Sequence, residues 1–337
     1  MVFVGIYVAA ESFTATVFFA PEEYNTAPRD FSNTEAGVEA FQAWLGDHEV
    51  SIEQLHVCLE NTGVYSEMLS YQLHDAGYRV SLLDPRTLSK AFPDGQPKTD
   101  RIDSRKLAEY GFRYADRLRI WEPQTESVEQ IRVLLATREQ LVQQRTAVTN
   151  SRSALTRKRI QTPAANRALE ATQANLKDQI KRLEDELKRL LRSRTDLLEG
   201  ATLLMTAPGV SWLLAGHFAV LTRGFTEVPC YRSIAQYLGI APNEYQSGTS
   251  IRRRPRSRRY GPASIRKLLH LAARSIGTHD APSRMYYQAK TGSGKPKQLV
   301  INNLANKLLK RLCAMLRHRQ PYIEGFRSVD PRYLALA

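Results

Sequence analysis

The sequence predicts a mixed α/β domain followed by a mostly helical half. Two apolar strand patterns open the chain, and strand and helix patterns then alternate up to about residue 124. From 125 to 195 the spacing of leucines becomes typical of long paired helices, and residues 196–337 form a further folded region. A chain of 337 residues is long enough for two or three domains, and its apolar content of 42% can supply their cores.

Elements of the first region follow from short-range periodicity. Strands are predicted at 2–8, 13–20, 55–59 and 78–83, and helices at 35–46, 65–76 and 103–112. Gly77 fits the end of the second helix, and a loop with Pro85 and the polar stretch 93–99 leads to the third. Two opening strands followed by this alternation predict a sheet that is partly parallel.

Two long amphipathic helices are predicted next. Apolar residues recur every seven positions at Leu134, Leu141, Val148 and Leu155. After Thr162-Pro163, a 4-3-4-3 step continues through Leu176, Ile180, Leu183, Leu187 and Leu190. This spacing is typical of a coiled coil. Three arrangements stay open: an antiparallel hairpin, a seam between two copies of the chain, and helices packed on their own domain.

Charge and cysteine usage restrict partners and compartment. The 48 basic residues outnumber 34 acidic ones, and a net charge of +14 indicates a polyanionic partner, most commonly nucleic acid. Cys58, Cys230 and Cys313 have neither zinc-site nor disulfide spacing, which suits a reducing cytosol. Neither a signal peptide nor a membrane-spanning apolar stretch is predicted, so we expect a cytoplasmic protein.

Three carboxylates form a candidate metal site. Glu60 ends the predicted buried strand, and Asp100 and Asp103 lie three residues apart at the start of a helix, on one helical face. Mg²⁺ takes a few hard oxygen ligands, so carboxylates that converge from a strand end and a helix are suited to phosphate chemistry. We therefore expect these three residues to be Mg²⁺ ligands with a catalytic role.

A candidate functional serine lies just before an arginine run. Ser247 precedes a segment with six arginines in eight positions, Arg252, Arg253, Arg254, Arg256, Arg258 and Arg259. Charge runs are often merely solvated, but residues 245–278 contain no acidic residue, which favours contact with phosphates. Ser250 is chemically equivalent to Ser247, and from the residues alone a turn or cap role for Ser247 is the favoured interpretation.

Four segments together resemble one known family. They are Val4-Gly-Ile-Tyr7, Cys58-Leu-Glu60-Asn-Thr-Gly63-Val-Tyr65, Lys98 to Glu109, and Leu238 to Gly248. In order and spacing they resemble the insertion-sequence one-ten transposases, the bridge-RNA-guided DEDD recombinases, over nearly the whole chain. The resemblance implies a RuvC-like (ribonuclease-H-type) domain at 1–124, a coiled coil at 125–195 and a transposase domain with a catalytic serine at 196–337.

The resemblance also implies function. Glu60, Asp100 and Asp103 would hold Mg²⁺, and Ser247 would form a phosphodiester link to DNA. The implied partners are a structured bridge RNA, target and donor DNA duplexes, and further copies of the chain as a dimer or tetramer in a prokaryotic cytoplasm near the nucleoid. Lys98 and Arg105, which lie in the same segment as the aspartates, are expected to contact nucleic acid as well.

Tyr7 departs from the family pattern, which has an aspartate in this strand. A phenol stays neutral at pH 7, so the expected metal site loses one charge and one ligand. Three interpretations stay open: a decayed or domesticated copy, an engineered variant, or a site in which three acids suffice for one Mg²⁺. Two alternatives to the recombinase also stay open: a relative that binds RNA and DNA without cutting, and a RuvC-type junction nuclease.

Overall fold

The computed structural model describes residues 1–19, 26–92, 99–247, 251–257 and 261–324, and for 243–247 and 251–256 it describes the backbone alone. The chain divides into two compact units, Met1–Pro123 and Gln124–Ala337. No helix among the described residues is long and apolar enough to cross a membrane.

The first unit is built on a five-stranded mixed sheet. Its strands are β1 (Val2–Val8), β2 (Ser12–Phe18), β3 (Arg29–Ser32), β4 (Leu55–Glu60) and β5 (Arg79–Leu83). Their order is β3-β2-β1-β4-β5, with β1, β2 and β3 antiparallel and β4 and β5 parallel to β1. The predicted α/β class and partly parallel sheet are confirmed, and the family's RuvC-like fold fits this domain. The short strand β3 was not predicted.

Helices cover both faces of this sheet. They are α1 (Glu35–Gly46), α2 (Val64–Asp75), α3 (Pro85–Ala91) and α4 (Asp100–Arg113), with short 3-10 turns at Ile52–Gln54 and Ala115–Arg117. One face packs its apolar side chains, including Val4, Ile6 and Val57, with α1 and α2. On the opposite face, Phe3 and Cys58 pack with Leu107 and Tyr110 of α4. Because β1 and β4 are buried on both faces, they read as continuous apolar runs in the sequence.

The second unit is mostly helical, as predicted. Its helices are α5 (Glu126–Leu155), α6 (Pro163–Ser193), α7 (Thr195–Met205), α8 (Trp212–Leu221), α9 (Tyr231–Leu238), α10 (Ala263–His279), α11 (Ala281–Gly292) and α12 (Lys297–His318). A single apolar cluster joins residues from α5 through α12. A two-stranded antiparallel sheet, β6 (Asn243–Ser247) and β7 (Ile251–Arg256), interrupts the helices. The sequence did not indicate this β-hairpin.

Helices α5 and α6 form an antiparallel pair. Arg138 bonds Glu184 at 2.6 Å, and Arg152 bonds Glu170 at 3.0 Å, so a step forward along α5 matches a step backward along α6. The start of α5 and the end of α6 form the base of this hairpin. Side chains there, for example Ile131 and Leu187, are buried in the core of the second unit. Of the open arrangements, the structure therefore contains a helical hairpin that also packs on its own unit. Coiled-coil packing along its length stays a prediction.

Candidate active site

Tyr7 and Glu60 lie at the same edge of the five-stranded sheet. Tyr7 is near the end of β1, and Glu60 is the last residue of the parallel neighbour β4. The register pairs Ile6 with Leu59, so the next position on each strand is Tyr7 and Glu60. Parallel strands bring their carboxyl ends to one edge, which in open α/β sheets is the usual position of a functional site.

Helix α4 brings two aspartates to this edge. It begins at Asp100, and Thr99 caps it by accepting a hydrogen bond from the Ile102 amide at 3.3 Å. Asp103 lies in the same first turn. Acidic residues in the first turn interact favourably with the positive end of the helix dipole, so this position is stable without a metal. The two aspartates thus lie on a rigid element rather than on a loop.

Close backbone contact fixes α4 on the sheet. A Cβ atom added to Gly5 would lie 2.0 Å from the Ser104 carbonyl oxygen and 2.3 Å from the Ala108 nitrogen. Glycine at this strand position therefore lets the helix approach. Gly111, farther along α4, similarly contacts Cys58 and Phe3. The helix that carries both aspartates consequently has little freedom to move relative to Tyr7 and Glu60.

The Tyr7 phenol is subject to the negative charges of all three predicted carboxylates. Burial raises the pKa of the half-buried Tyr7 phenol, and the negative charges of Asp100, Glu60 and Asp103 raise this pKa further. A neighbouring negative charge disfavours the phenolate, which explains the direction of the shift. Tyr7 is therefore neutral at pH 7 and sits where the predicted site lacks a fourth carboxylate.

Asp30 is a further carboxylate at this face, and it was not predicted. In the antiparallel register Tyr7 pairs with Thr14, and Thr14 pairs with Asp30. The Thr14 hydroxyl donates to Asp30 at 2.7 Å, and Arg101 of α4 lies 3.3 Å from it. The Thr14 hydrogen bond and Arg101 lower the pKa of Asp30. Nothing in the local sequence marked Asp30, because its proximity to Tyr7 depends on cross-strand pairing.

The donor chemistry of this edge suits Mg²⁺, but the arrangement is incomplete. Asp103 makes a 3.7 Å ion pair with Lys106. Within the described ranges, no three His, Cys, Asp or Glu side chains are grouped closely enough to hold a metal ion. A neutral phenol between carboxylates supplies neither the charge nor the bridging oxygens of an aspartate. The residues as arranged do not fit a complete Mg²⁺ site.

The second unit contains the candidate nucleophile. Ser247 ends β6 and pairs with Ile251, the first residue of β7. β7 carries four of the six arginines, Arg252, Arg253, Arg254 and Arg256. The side chains of these strands are not described, and Ser250, Arg258 and Arg259 lie outside the described residues, as does Lys98 in the first unit. Arg105 is exposed on α4.

Comparisons with known proteins agree in both halves. Residues 4–158 match a family model described as the DEDD transposase of IS110, and residues 201–288 match one described as the transposase of the IS116/IS110/IS902 family. The pilin gene-inverting protein of Moraxella bovis is 25% identical over 95% of this chain and 97% of its own length. Its counterpart in Moraxella lacunata is 24% identical over the same shares.

A third similarity is restricted to part of the chain. An uncharacterized 43.6 kDa protein of the insertion element IS110 in Streptomyces coelicolor is 32% identical over 36% of this chain and 30% of its own length. The first family model covers the first unit from residue 4 and continues through α5, and the second lies within the second unit. Together with the full-length relatives, they show that this chain is similar to the IS110-family transposases and to the pilin gene-inverting proteins.

Proposed function

We propose that this homologue of the IS110-family transposases is an RNA-guided DNA recombinase that cuts DNA through a covalent link to Ser247. Homology supports an enzyme that rearranges DNA in general terms. The observation that carries the finer proposal is that Tyr7 and Glu60 lie near the ends of parallel strands at one sheet edge, where the negative charges of Asp100, Glu60 and Asp103 act on the Tyr7 phenol. Their positions match the acidic segments by which the chain resembles the family.

The proposed reaction is a phosphoryl transfer. The Ser247 Oγ attacks a DNA phosphorus atom and loses its proton to solvent or a nearby base. The bond from phosphorus to one deoxyribose oxygen breaks, and that oxygen takes up a proton as a free hydroxyl group. One phosphodiester bond replaces another, so the serine–DNA link retains the energy needed for rejoining to a second strand. A serine hydroxyl needs activation for this attack.

Arginines supply the electrostatic part of this proposal. The β6–β7 pairing places four arginines on the strand next to the one that ends at Ser247. Guanidinium groups bind phosphate oxygens with two parallel hydrogen bonds and stabilise charge that develops during transfer. Arg252, Arg253, Arg254 and Arg256 are therefore proposed as phosphate-binding residues, together with Arg258 and Arg259.

The remaining partners belong to the same proposal. Although the ligand set with Tyr7 is incomplete, Mg²⁺ is the proposed cofactor, because DEDD-type transposases typically use a divalent metal. Glu60, Asp100 and Asp103 are the hard oxygen donors that would hold it. A structured RNA is the proposed guide, and the net charge of +14 suits two nucleic-acid partners. We propose that the chain acts as a homo-oligomer, a dimer or a tetramer, in which the acidic residues of one copy meet Ser247 of another.

Tyr7 supports a second candidate function. With a neutral phenol in place of a carboxylate, the same protein would bind RNA and DNA without cutting DNA efficiently. The two candidates differ in one observable, a covalent protein–DNA product. Binding without this product favours the second candidate.

The deciding experiment traps that product. The full-length protein is incubated with RNA from its native host, labelled DNA and Mg²⁺, and denaturing gels are examined for DNA-linked protein. We expect an adduct with the natural protein or its Tyr7→Asp variant, none with Ser247→Ala, and retention with Ser250→Ala. Loss with Ser250→Ala alone would assign the nucleophile to Ser250. Absence of any adduct, including in Tyr7→Asp, together with metal-dependent DNA cleavage would indicate a nuclease that uses water.

RNA guidance has its own test. The protein is purified from its native host, and the nucleic acid that accompanies it is sequenced. We expect one structured RNA whose affinity falls steeply with salt, because phosphate contacts release counterions. Protein that purifies free of RNA would contradict the guided mechanism and leave the serine chemistry untouched.

A further inference from the structure

A groove that combines an apolar lining, including Leu304 and Leu308, with basic side chains runs between α11 and α12 in the second unit. Its volume is about 720 Å³. Ser283 and Tyr286 line it from α11, and Lys307, Lys310 and His318 line it from α12. Lys307, Lys310 and His318 are exposed. We refer to this feature as the α11–α12 groove.

The helices that form the groove are rich in positive charge. Residues 263–318, all of which the structure describes, contain 11 lysines and arginines and a single acidic residue, Asp280. Asp280 is fully buried. It accepts hydrogen bonds from the Ser283 amide at 3.0 Å and the Tyr322 hydroxyl at 2.9 Å, and Arg311 lies 3.6 Å away. Its charge is thus compensated inside the fold.

The two exposed lysines contact aromatic rings rather than carboxylates. The Lys307 ammonium lies 3.5 Å from the centroid of the Tyr286 ring, and the Lys310 ammonium lies 5.7 Å from that of Tyr231. Neither lysine forms an ion pair within the described part of the chain. A cation over a ring keeps its remaining N–H groups available, so each ammonium can still donate to a phosphate oxygen.

The groove is fixed to the segment that leads to Ser247. Asn302 of α12 donates a hydrogen bond to the Ile240 carbonyl oxygen at 2.9 Å. Ile240 lies three residues before β6, the strand that ends at Ser247. Helix α12 is therefore attached to the chain that enters the β6–β7 hairpin.

We propose that the α11–α12 groove binds the sugar–phosphate backbone of a DNA duplex outside the reacting base pairs. Lys307 and Lys310 bind phosphates, and Tyr286 holds Lys307 in place. The two lysines are about 4.5 Å apart along the axis of α12. Because their side chains are long and flexible, their ammonium groups can reach neighbouring phosphates of one DNA strand. This inference rests on the proposed DNA-rearranging function and adds a contact that does not depend on Ser247 or the acidic residues.

The test compares two double variants of equal net charge. Lys307→Gln with Lys310→Gln removes the groove charges, and Lys295→Gln with Lys297→Gln removes two exposed charges that do not line the groove. Each variant and the natural protein are titrated with a labelled DNA duplex of mixed sequence across a range of salt concentrations. Circular dichroism and thermal unfolding confirm that each variant is folded.

We expect the groove variant to lose about tenfold to a hundredfold in DNA affinity and about two units of the salt slope, one for each lost phosphate contact. The control variant should retain the natural slope. Equal losses in both variants, or none in the groove variant, would overturn the proposal. A groove variant that loses affinity for structured RNA but not for DNA would overturn the assignment to DNA. Failure of the natural protein to bind any duplex would instead contradict the proposed function itself.

Discussion

Thr16 and Ser104 share a buried hydrogen bond between their hydroxyl groups, with 2.8 Å between the two oxygens. Thr16 lies in the middle of β2, and Ser104 follows Asp103 directly on α4. Ser104 also donates to the Arg101 carbonyl oxygen at 3.0 Å, which leaves the Thr16 hydroxyl as its donor partner. The bond attaches the first turn of α4, with both aspartates, to the sheet that carries Tyr7. The positions of Asp100 and Asp103 relative to the sheet therefore depend on this buried contact between α4 and β2.

Gly5→Ala should separate α4 from β1. The new Cβ would lie 2.0 Å from the Ser104 carbonyl oxygen, a backbone atom that cannot rotate away. We expect a loss of about 3 kcal/mol in the free energy of unfolding, measured by urea denaturation. Gly46→Ala is the matched control, because a Cβ there has no heavy atom within 4 Å. A Gly5→Ala protein as stable as the Gly46→Ala protein would show that the helix is not held as described.

Tyr7→Asp should create a response to divalent metal. A fourth carboxylate beside Asp100, Glu60 and Asp103 is repelled when no metal is bound, and Mg²⁺ relieves that repulsion. The variant should unfold at a lower temperature than the natural protein in chelator and should gain stability as Mg²⁺ is added. Adduct formation with DNA should also rise by a factor of hundreds, which corresponds to ~3–4 kcal/mol in the transition state.

Tyr7→Phe is the control for that experiment. It keeps the ring and adds no charge, so its unfolding temperature should not depend on Mg²⁺. If the natural protein already reacts at low Mg²⁺ and Tyr7→Asp adds nothing, Tyr7 is not part of the metal site.

Leu187→Ala should weaken the base of the α5–α6 hairpin. Leu187 is 1% exposed, and a Cβ on Gly216 of α8 would lie 3.0 Å from its side chain. The cavity left behind should cost about 2–5 kcal/mol in the free energy of unfolding. Leu155→Ala, at the far end of α5, removes a half-buried side chain and should cost much less. Equal costs, measured by urea denaturation, would mean that the base of the hairpin is not anchored in the core.

Acid should destabilise the second unit through His217. Burial, together with the positive charge of Arg138, lowers the pKa of His217 to about 4, although Glu139 acts in the opposite direction. In the unfolded chain this imidazole takes up a proton near pH 6.5, so its contribution to stability is lost as pH falls from 6.5 towards 4. The total loss should be ~3 kcal/mol.

The measurement is the urea midpoint of the natural protein and of His217→Gln over that pH range. In the variant, the stability of the second unit should depend much less on pH. The stability of the first unit should still depend on pH in the variant, because burial also lowers the pKa of His56. Identical pH profiles would show that His217 is not buried as a neutral group.

Short-range patterns in the sequence determined most of the elements. Alternating and helical spacing predicted β1, α1, β4 and α4 to within a few residues, because burial of one face or of a whole strand leaves its period in the chain. The chemistry of Glu60, Asp100, Asp103 and the unusual Tyr7 was equally visible. Their catalytic and metal-binding roles, like that of Ser247, remain predictions.

Tertiary structure alone decided which distant residues meet. Asp30 lies in line with Tyr7 across the sheet because Tyr7 pairs with Thr14 and Thr14 pairs with Asp30. Glycine is needed at position 5 because the backbone of α4 packs directly against β1 there. The pairing of β6 with β7 and the groove formed by α11 and α12 likewise left no local period in the sequence. Such contacts depend on strand register and on helix packing between segments far apart in the chain. The spacing of apolar residues predicts that a face is buried, but it does not say which other element covers that face.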